Sequence, residues 1–237
     1  MPSARFFKNP PNNCINLLYS IFCPYFCLRC FRFDPTGYLC QECLDQTNFG
    51  LGIYCLRCNR RRPATENFLQ TCCETSLKSL IAFADYEDHL IVKLIQLGKF
   101  QGYFETIKFA GRLMTQELIK LKPILNDFTL VPIPASKQTW SRRRFNQSQV
   151  LARVISDQLG CPLLNSLAKT KETKPQRTLP AQERSANIKG ALSVIAPPPP
   201  KVLLVDDIKT TGATLLEAAK VLRQAGAKTI LGVTIVK

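Results

Sequence analysis

Val202-Leu-Leu-Val-Asp206-Asp207-Ile-Lys-Thr210-Thr211-Gly212-Ala213-Thr214 is the stretch that decides the fold. Four apolar residues make a buried strand, and two carboxylates stand at its C-terminal end. A turn carrying hydroxyls and a glycine then opens a helix. In an open parallel sheet that edge is where ligands bind. The turn aims backbone N–H groups and the hydroxyls of Thr210, Thr211 and Thr214 at one spot beside a helix N-terminus, a geometry that favours a phosphate dianion. Gly212 lacks a Cβ, which allows close backbone approach, and Ala213 lies in the same turn. Asp206 and Asp207 would repel a phosphate, so they face another part of the ligand. Neighbouring sugar hydroxyls, held directly or through Mg²⁺, meet that requirement. The chemistry implied is a ribose 5-phosphate with both hydroxyls free. The alternative is a solvated strand end with Thr210 or Thr211 capping the next helix, which accounts for one hydroxyl only. A Walker A loop is excluded, because no Gly-x-x-x-x-Gly-Lys-Ser/Thr run is present.

Outward from this stretch, strand and helix patterns alternate. Residues 81–86 read as a strand, and 89–97 and 104–121 have helical spacing, the latter with Ile107, Leu113, Met114, Leu118 and Leu121 apolar. Residues 128–133 form a short buried strand stopped by Pro132 and Pro134, and 146–159 a helix ended by Gly160. Residues 168–189 are basic, polar and without periodicity, and read as a loop. Residues 197–200 are a proline spacer before strand 202–205; a helix over 213–224, closed by Gly226, and a strand over 229–236 complete the chain. The alternation predicts an α/β fold with a mainly parallel sheet flanked by helices.

A composition shift near residue 78 divides the chain into a cysteine-rich module, 1–78, and an α/β domain, 79–237. Ten of the eleven cysteines fall between Cys14 and Cys73. Cys27-x-x-Cys30 and Cys40-x-x-Cys43 are two knuckles, each able to grip one metal ion through adjacent tetrahedral corners. Four thiolates suit a structural Zn²⁺ and leave no open position for catalysis; free core cysteines are the alternative. Cys55-x-x-Cys58 with the adjacent Cys72 and Cys73 is a candidate second site, a decayed site being its alternative. Cys23 competes with Cys27 as a ligand, whereas Cys14 and Cys161 read as buried thiols.

Composition bounds the rest. Hydrophobic residues make up 46% and charged residues 21%, which excludes a wholly disordered chain. No run of eighteen apolar residues occurs, so no membrane insertion is expected. Residues 14–28 are apolar but interrupted, and Ile15, Leu18, Tyr19 and Phe22 suit a short amphipathic helix better than a signal peptide. With an odd cysteine count, this points to metal ligation in a reducing, cytoplasmic compartment. The net charge is +15, of which residues 137–190 carry +8. Such an excess attracts polyanions. Arg142 and Arg143 are candidates to neutralise pyrophosphate or an acidic partner, as guanidinium binds phosphate bidentately; a solvated basic turn is the alternative. Arg57 and Arg60, Arg61 and Arg62 are further cations that DNA could use. His89, the sole histidine, reads as a surface residue.

The stretch 202–214 resembles the phosphoribosyl pyrophosphate signature of type I phosphoribosyltransferases. The chain from about residue 17 resembles the ComF family of competence proteins, in which a zinc-ribbon module precedes a phosphoribosyltransferase domain. Val131-Pro-Ile-Pro134, the arginine run and Phe145-Asn146-Gln147 are similar to that family's central motif. Thr173-x-x-Gln176-x-x-Leu179 with Arg184-x-x-Asn187-x-x-Gly190-Ala191 is similar to its flexible loop, and Tyr86 and Lys99-Phe100 fit more loosely. The family usually has glycine where Arg144 stands. Purine-type members carry Asp at the place of Thr210, which argues against ordinary purine salvage here.

The resemblance implies that Asp206 and Asp207 hold the ribose, and that Thr210, Thr211, Gly212, Ala213 and Thr214 cradle the 5-phosphate. Pro132 to Ser136 would lie near pyrophosphate and Mg²⁺, with Asp206, Asp207, Arg142 and Arg143 the candidates for a catalytic part. The loop with Gln176, Arg184 and Asn187 would close over the ligand and exclude water. Three readings follow. The first is a Mg²⁺-dependent phosphoribosyltransferase linked to DNA uptake. The second is a non-catalytic single-stranded-DNA-binding competence factor whose pocket senses a ligand, with a competence helicase as partner. The third is a metal-dependent scaffold with a dead pocket.

Overall fold

The computed structural model describes residues 26–35, 37–47, 49–62, 69, 72–101, 104–173 and 180–237, with backbone alone at 100, 101, 142, 143, 181 and 182. Cys14, Cys23, the helix expected around Ile15 to Phe22, Gln176 and Leu179 lie outside these residues, as do the side chains of Arg142 and Arg143. The chain divides into two units, 1–48 and 49–237.

The larger unit is built on a sheet of strand order β2-β1-β3-β8-β7-β4. Its parallel centre comprises β3 (Leu80–Ala84), β8 (Thr229–Val236), β7 (Lys201–Ile208) and β4 (Thr129–Pro132). β7 runs beside β8 with Val202 opposite Ile230 and Asp206 opposite Thr234. Both strands are near-continuous apolar runs, as strands buried on two faces must be. Alternation then sorts the side chains. Val202, Leu204 and Ile230 join the cluster under α8 (Ala213–Gln224), which contributes Leu215, Ala218, Ala219 and Leu222. Leu203, Val205, Leu231 and Val233 are equally buried beneath α2 (His89–Gln101), α3 (Phe104–Leu118) and α6 (Gln147–Leu159), which pack on β8, β7 and β4. α2 continues past the expected end at Leu97, because Gly98 sits inside it with Ile107 of α3 packed where a Cβ would be. Gly111 likewise lets α3 approach Leu151 of α6. After α3 the chain makes a 3₁₀ turn, Ile119–Leu121, and a single helical turn, α4 (Lys122–Leu125).

Two further strands extend this sheet antiparallel: β1 (Gly52–Tyr54) on β3, and the two-residue β2 (Arg61–Arg62) on β1. Hence the contact division falls well before the composition shift at residue 78: the hairpin with Cys55 and Cys58 belongs to the sheet of the larger unit. At the opposite edge, Leu130 of β4 bridges Leu163, with Leu130 N–H donating to Pro162 and Leu164 N–H to Leu130.

Residues 168–189 are not a plain loop. β5 (Leu167–Lys169) and β6 (Leu192–Val194) pair antiparallel, and α7 (Ala181–Ile188) lies between them. α7 shows little apolar period since Ile188 is its one side chain in the core among those described, packed on Ala191 and Ala213. α5 (Lys137–Arg143) was also illegible as a helix; Ser136 caps it, accepting from Thr139 N–H at 3.0 Å.

In the smaller unit, Cys27 N–H donates to Arg32 and Leu28 N–H to Tyr38, and α1 (Gln41–Asp45) follows Cys40. Among the described residues no helix is long and apolar enough to cross a membrane.

Candidate functional site: a carboxylate pair beside a phosphate loop

β7 does not stop before its acidic pair; it carries both carboxylates within its last three residues. Asp206 accepts from Ser148 Oγ at 2.9 Å and from the Asp207 N–H at 2.9 Å. Asp207 accepts from the Ile208 N–H at 2.7 Å and pairs with Lys99 Nζ at 2.7 Å, both side chains being largely buried. Burial pushes the Asp206 carboxyl up to about 7, with the charge of Asp207 adding to it, against the opposing pull of Lys99 and the Ser148 hydroxyl. The site therefore concentrates negative charge where water is scarce and partly offsets it with one ammonium.

Lys99 comes from the last turn of α2 and Ser148 from the first turn of α6. Lys99 was marked only by loose similarity, and Ser148 had no sequence signal beyond its position after Asn146. Asn146 places it: its side chain caps α6 through the Ser148 N–H and donates to Ile133 O at 2.9 Å. The backbone just before is left-handed, with Arg144 at φ 59°. A non-glycine residue there stores about 1 kcal/mol of strain. Gln147 Nε2, in a residue 4% exposed, has no partner among the described residues and is a donor left for a ligand or water.

Beyond β7, Lys209 N–H donates to Val236 O at 2.8 Å, Thr210 is exposed and Thr211 half-buried. Gly212, at φ 80°, is the N-cap of α8, and no side chain fills the cap. The first-turn amides of a helix have no intrahelical acceptor, so this end is a ready anion site. Gly212 is required for a reason the sequence did not disclose. A Cβ on it would lie 2.8 Å from Leu56 Cδ2, so the close approach found here is to Leu56. Ala213 packs on Ile188 and Ala191, and Gly190 N–H donates to Glu217 of α8 at 2.7 Å. The base of the expected flexible loop is thus fastened to the helix that carries the phosphate turn. Arg184 and Asn187 are half-buried, three residues apart on α7. Burial lowers the Lys169 ammonium on β5, opposed by Glu172. Tyr86 and His89 are exposed.

A separate cleft of about 850 Å³ lies between α3 and α6, away from the carboxylates. Lys108, Arg112, Arg144 and Arg153 line it with Phe104 and Phe145, against one acid, Asp157. The two phenyl rings meet edge to face at 6.1 Å, and Lys108 Nζ sits 4.6 Å from the Phe104 centroid. Two of its four cations, Lys108 and Arg112, come from α3, which lies outside the basic segment 137–190. Arg62, by contrast, is withdrawn from the cations available to a polyanion. It is 9% exposed and donates to Ser79.

The cysteines form two groups, Cys27, Cys30, Cys40, Cys43 and Cys55, Cys58, Cys72, Cys73, each with its four sulfurs within 4.8 Å of one another. Four sulfurs at about 2.3 Å from a tetrahedral ion are about 3.8 Å apart. Cys30–Cys40 and Cys58–Cys72 are 3.6 Å and Cys72–Cys73 3.9 Å, so both donor sets fit such an ion. Burial raises the Cys27 and Cys55 thiols, but neighbouring N–H donors outweigh it and bring each down to about 7. Burial pushes Cys43 up, and the Cys55 sulfur pushes Cys72 up to about 12. One thiolate among crowded thiols is the state a cation would convert to four thiolates. Cys161 is a buried thiol, raised by burial, donating to Leu125 O.

Residues 146–237 match the phosphoribosyl transferase domain family. Over 202 residues the chain is 31% identical to competence protein F of Haemophilus influenzae, covering 81% of this chain and 87% of that protein. It is 30% identical over 211 residues to DNA utilization protein YhgH of Escherichia coli, covering 86% and 85%. With competence protein ComFC of Streptococcus pneumoniae it shares 32% over 143 residues, 59% and 60% of the two chains. A phosphoribosyltransferase-type sheet, two four-cysteine groups in the first third of the chain, and this likeness along most of its length mean that the chain belongs to the ComF family of competence proteins.

Proposed function

We propose that the protein binds phosphoribosyl pyrophosphate with Mg²⁺ at the C-terminal edge of β7 and β8, in the service of DNA uptake. The observation that carries this reading is the pair of half-buried Asp206 and buried Asp207, one turn before a left-handed Gly212 that opens α8. In this reading the turn residues Thr210, Thr211, Gly212, Ala213 and Thr214 take the 5-phosphate and the carboxylates take the ribose hydroxyls. Arg142, Arg143, Gln176 and Arg184 would meet the pyrophosphate. Mg²⁺ would supply charge neutralisation for the leaving pyrophosphate in a pentosyl transfer. The two cysteine groups hold structural Zn²⁺, since four thiolates leave no open ligand position. Relatives named for competence and DNA utilization support the assignment to transformation.

Calorimetric titration with phosphoribosyl pyrophosphate and Mg²⁺ tests the reading. The parent protein should bind, and the Asp206→Asn/Asp207→Asn double variant should lose at least about 100-fold in affinity, a loss of about 2.7 kcal/mol. No binding heat from the parent overturns it.

The cleft between α3 and α6 favours a second reading, contact with single-stranded DNA. Its cations match phosphates, and Phe104 and Phe145 offer rings to bases. Oligonucleotide affinity should then fall steeply with salt, and Lys108→Glu/Arg112→Glu should reduce the log–log salt slope by about 1.4. A flat salt response, or an unchanged slope, counts against it.

A further inference from the structure

The second cysteine group and the phosphate turn belong to one unit and touch. The knuckle runs Cys55-Leu56-Arg57-Cys58-Asn59. Cys55 N–H donates to Arg60 O at 3.0 Å and Asn59 N–H to Cys55 O at 2.8 Å, with Asn59 left-handed at φ 57°. Leu56 projects from this knuckle into the core cluster that includes Leu77 and Leu215, and fills the space beside Gly212. Asn59 Oδ1 accepts from Lys209 Nζ at 3.0 Å, so the knuckle holds the turn at both its ends. Arg57 Nη1 donates to Glu74 O at 3.3 Å, tying the knuckle to the segment with Cys72 and Cys73.

Of the four sulfur residues only Cys55 is buried, while Cys58 and Cys72 are exposed, so apolar burial cannot hold the group together. Within the turn, Lys209 N–H donates to Val236 O, Leu216 N–H to Gly212 O, and Ala213 N–H makes a long 3.4 Å contact with Thr211 Oγ1. Leu56 packs directly against this turn at Gly212.

We propose that a metal ion held by Cys55, Cys58, Cys72 and Cys73 positions the phosphate turn through Leu56 and Asn59, so that metal occupancy of this group and ligand affinity at residues 210–214 are thermodynamically coupled. The ligand half rests on the proposed phosphoribosyl pyrophosphate site; the positioning half does not. Leu56 and Asn59 are positioning residues, with no contact to the ligand of their own. Coupling of this kind is reciprocal: ligand at the turn tightens the metal as much as metal tightens the ligand.

The test uses the full chain loaded with zinc. Metal content, amide hydrogen exchange over residues 209–214 without ligand, and calorimetric affinity for phosphoribosyl pyrophosphate with Mg²⁺ are measured together. The parent should carry two zinc ions. Cys58→Ser/Cys72→Ser should carry one, exchange faster over 209–214 and bind about tenfold more weakly. Leu56→Ala should keep two zinc ions yet show the same faster exchange and weaker binding, a result that loss of the metal fold cannot explain. Cys40→Ser, in the other group, should lose one zinc and leave residues 209–214 unchanged. Should the parent carry a single zinc, its retention in Cys40→Ser supports this group as the holder, and its loss from Cys40→Ser overturns the proposal. Unchanged exchange in Leu56→Ala also overturns it. Should the parent bind no phosphoribosyl pyrophosphate, the ligand reading fails, and the exchange data still decide the positioning.

Discussion

Asp206→Asn should make the protein more stable at pH 8 and confer almost no advantage at pH 4. The carboxyl is raised from 3.8 to about 7 in the folded chain by burial and by Asp207. Below the unfolded value both states hold the proton, and acid and amide are equivalent. As pH rises from about 4 to 7 the unfolded chain releases its proton while the folded chain retains it, so the folded state of the parent loses ground. Above the folded value that loss is complete. Allowing for solvent screening at this half-buried residue, the loss is about 2 kcal/mol. For a unit of this size it amounts to a rise in Tm of about 4–8 °C in the variant at pH 8. The substitution keeps the acceptor that Ser148 Oγ and the Asp207 N–H use, so packing is undisturbed. Thermal melts of both proteins across pH 4–8 check this, and a gap that does not widen with pH refutes it. Ligand affinity should move the opposite way, making Asp206 a residue kept at a cost in stability, as buried charge at functional sites is.

The second large effect concerns the smaller unit. With zinc held by Cys27, Cys30, Cys40 and Cys43 as proposed, chelating it, or Cys43→Ser, should unfold this unit and leave the sheet of the larger unit intact. Apart from the cysteines, Leu28, Tyr38 and Leu39 are the buried apolar side chains described there, too few to offset the entropy of ordering some twenty residues. A four-thiolate zinc site supplies on the order of 10 kcal/mol or more, far beyond what those three side chains provide. Hydrogen exchange would report it directly. Amides of Cys27, Leu28, Phe31, Cys43 and Leu44, which donate within this unit, should lose protection, while those of β3, β7 and β8 keep theirs. Retained protection in the chelated protein would show that the unit folds without metal.

The parallel centre was legible because its strands are apolar runs between turn signals, and the helix over 213–224 matched residue for residue. Burial on two faces leaves that kind of signal. β1 and β2 left none: three and two residues long, they owe their place to pairing, β1 on β3 and β2 on β1. α7 buries too little to show a period, and the apolar spacing of α2 runs out at Gly98, where α3 needs room. At the site, the acidic pair and the phosphate turn were readable because they are contiguous. Lys99, Ser148 and Leu56 were not, being brought to that place from 108, 58 and 156 residues away by packing alone. Distance in sequence hid the cation, the hydroxyl and the support, and these decide the electrostatics of the carboxylates and the shape of the turn.

The ends of the sheet bear on how this family member can meet other macromolecules. One margin is β2, two arginines long; the other is β4, whose Leu130 already exchanges hydrogen bonds with residues 162 and 164. Among the described residues neither margin presents a long, flat row of free backbone groups, the feature that self-templating into fibres and recruitment of an extended peptide by strand addition both require.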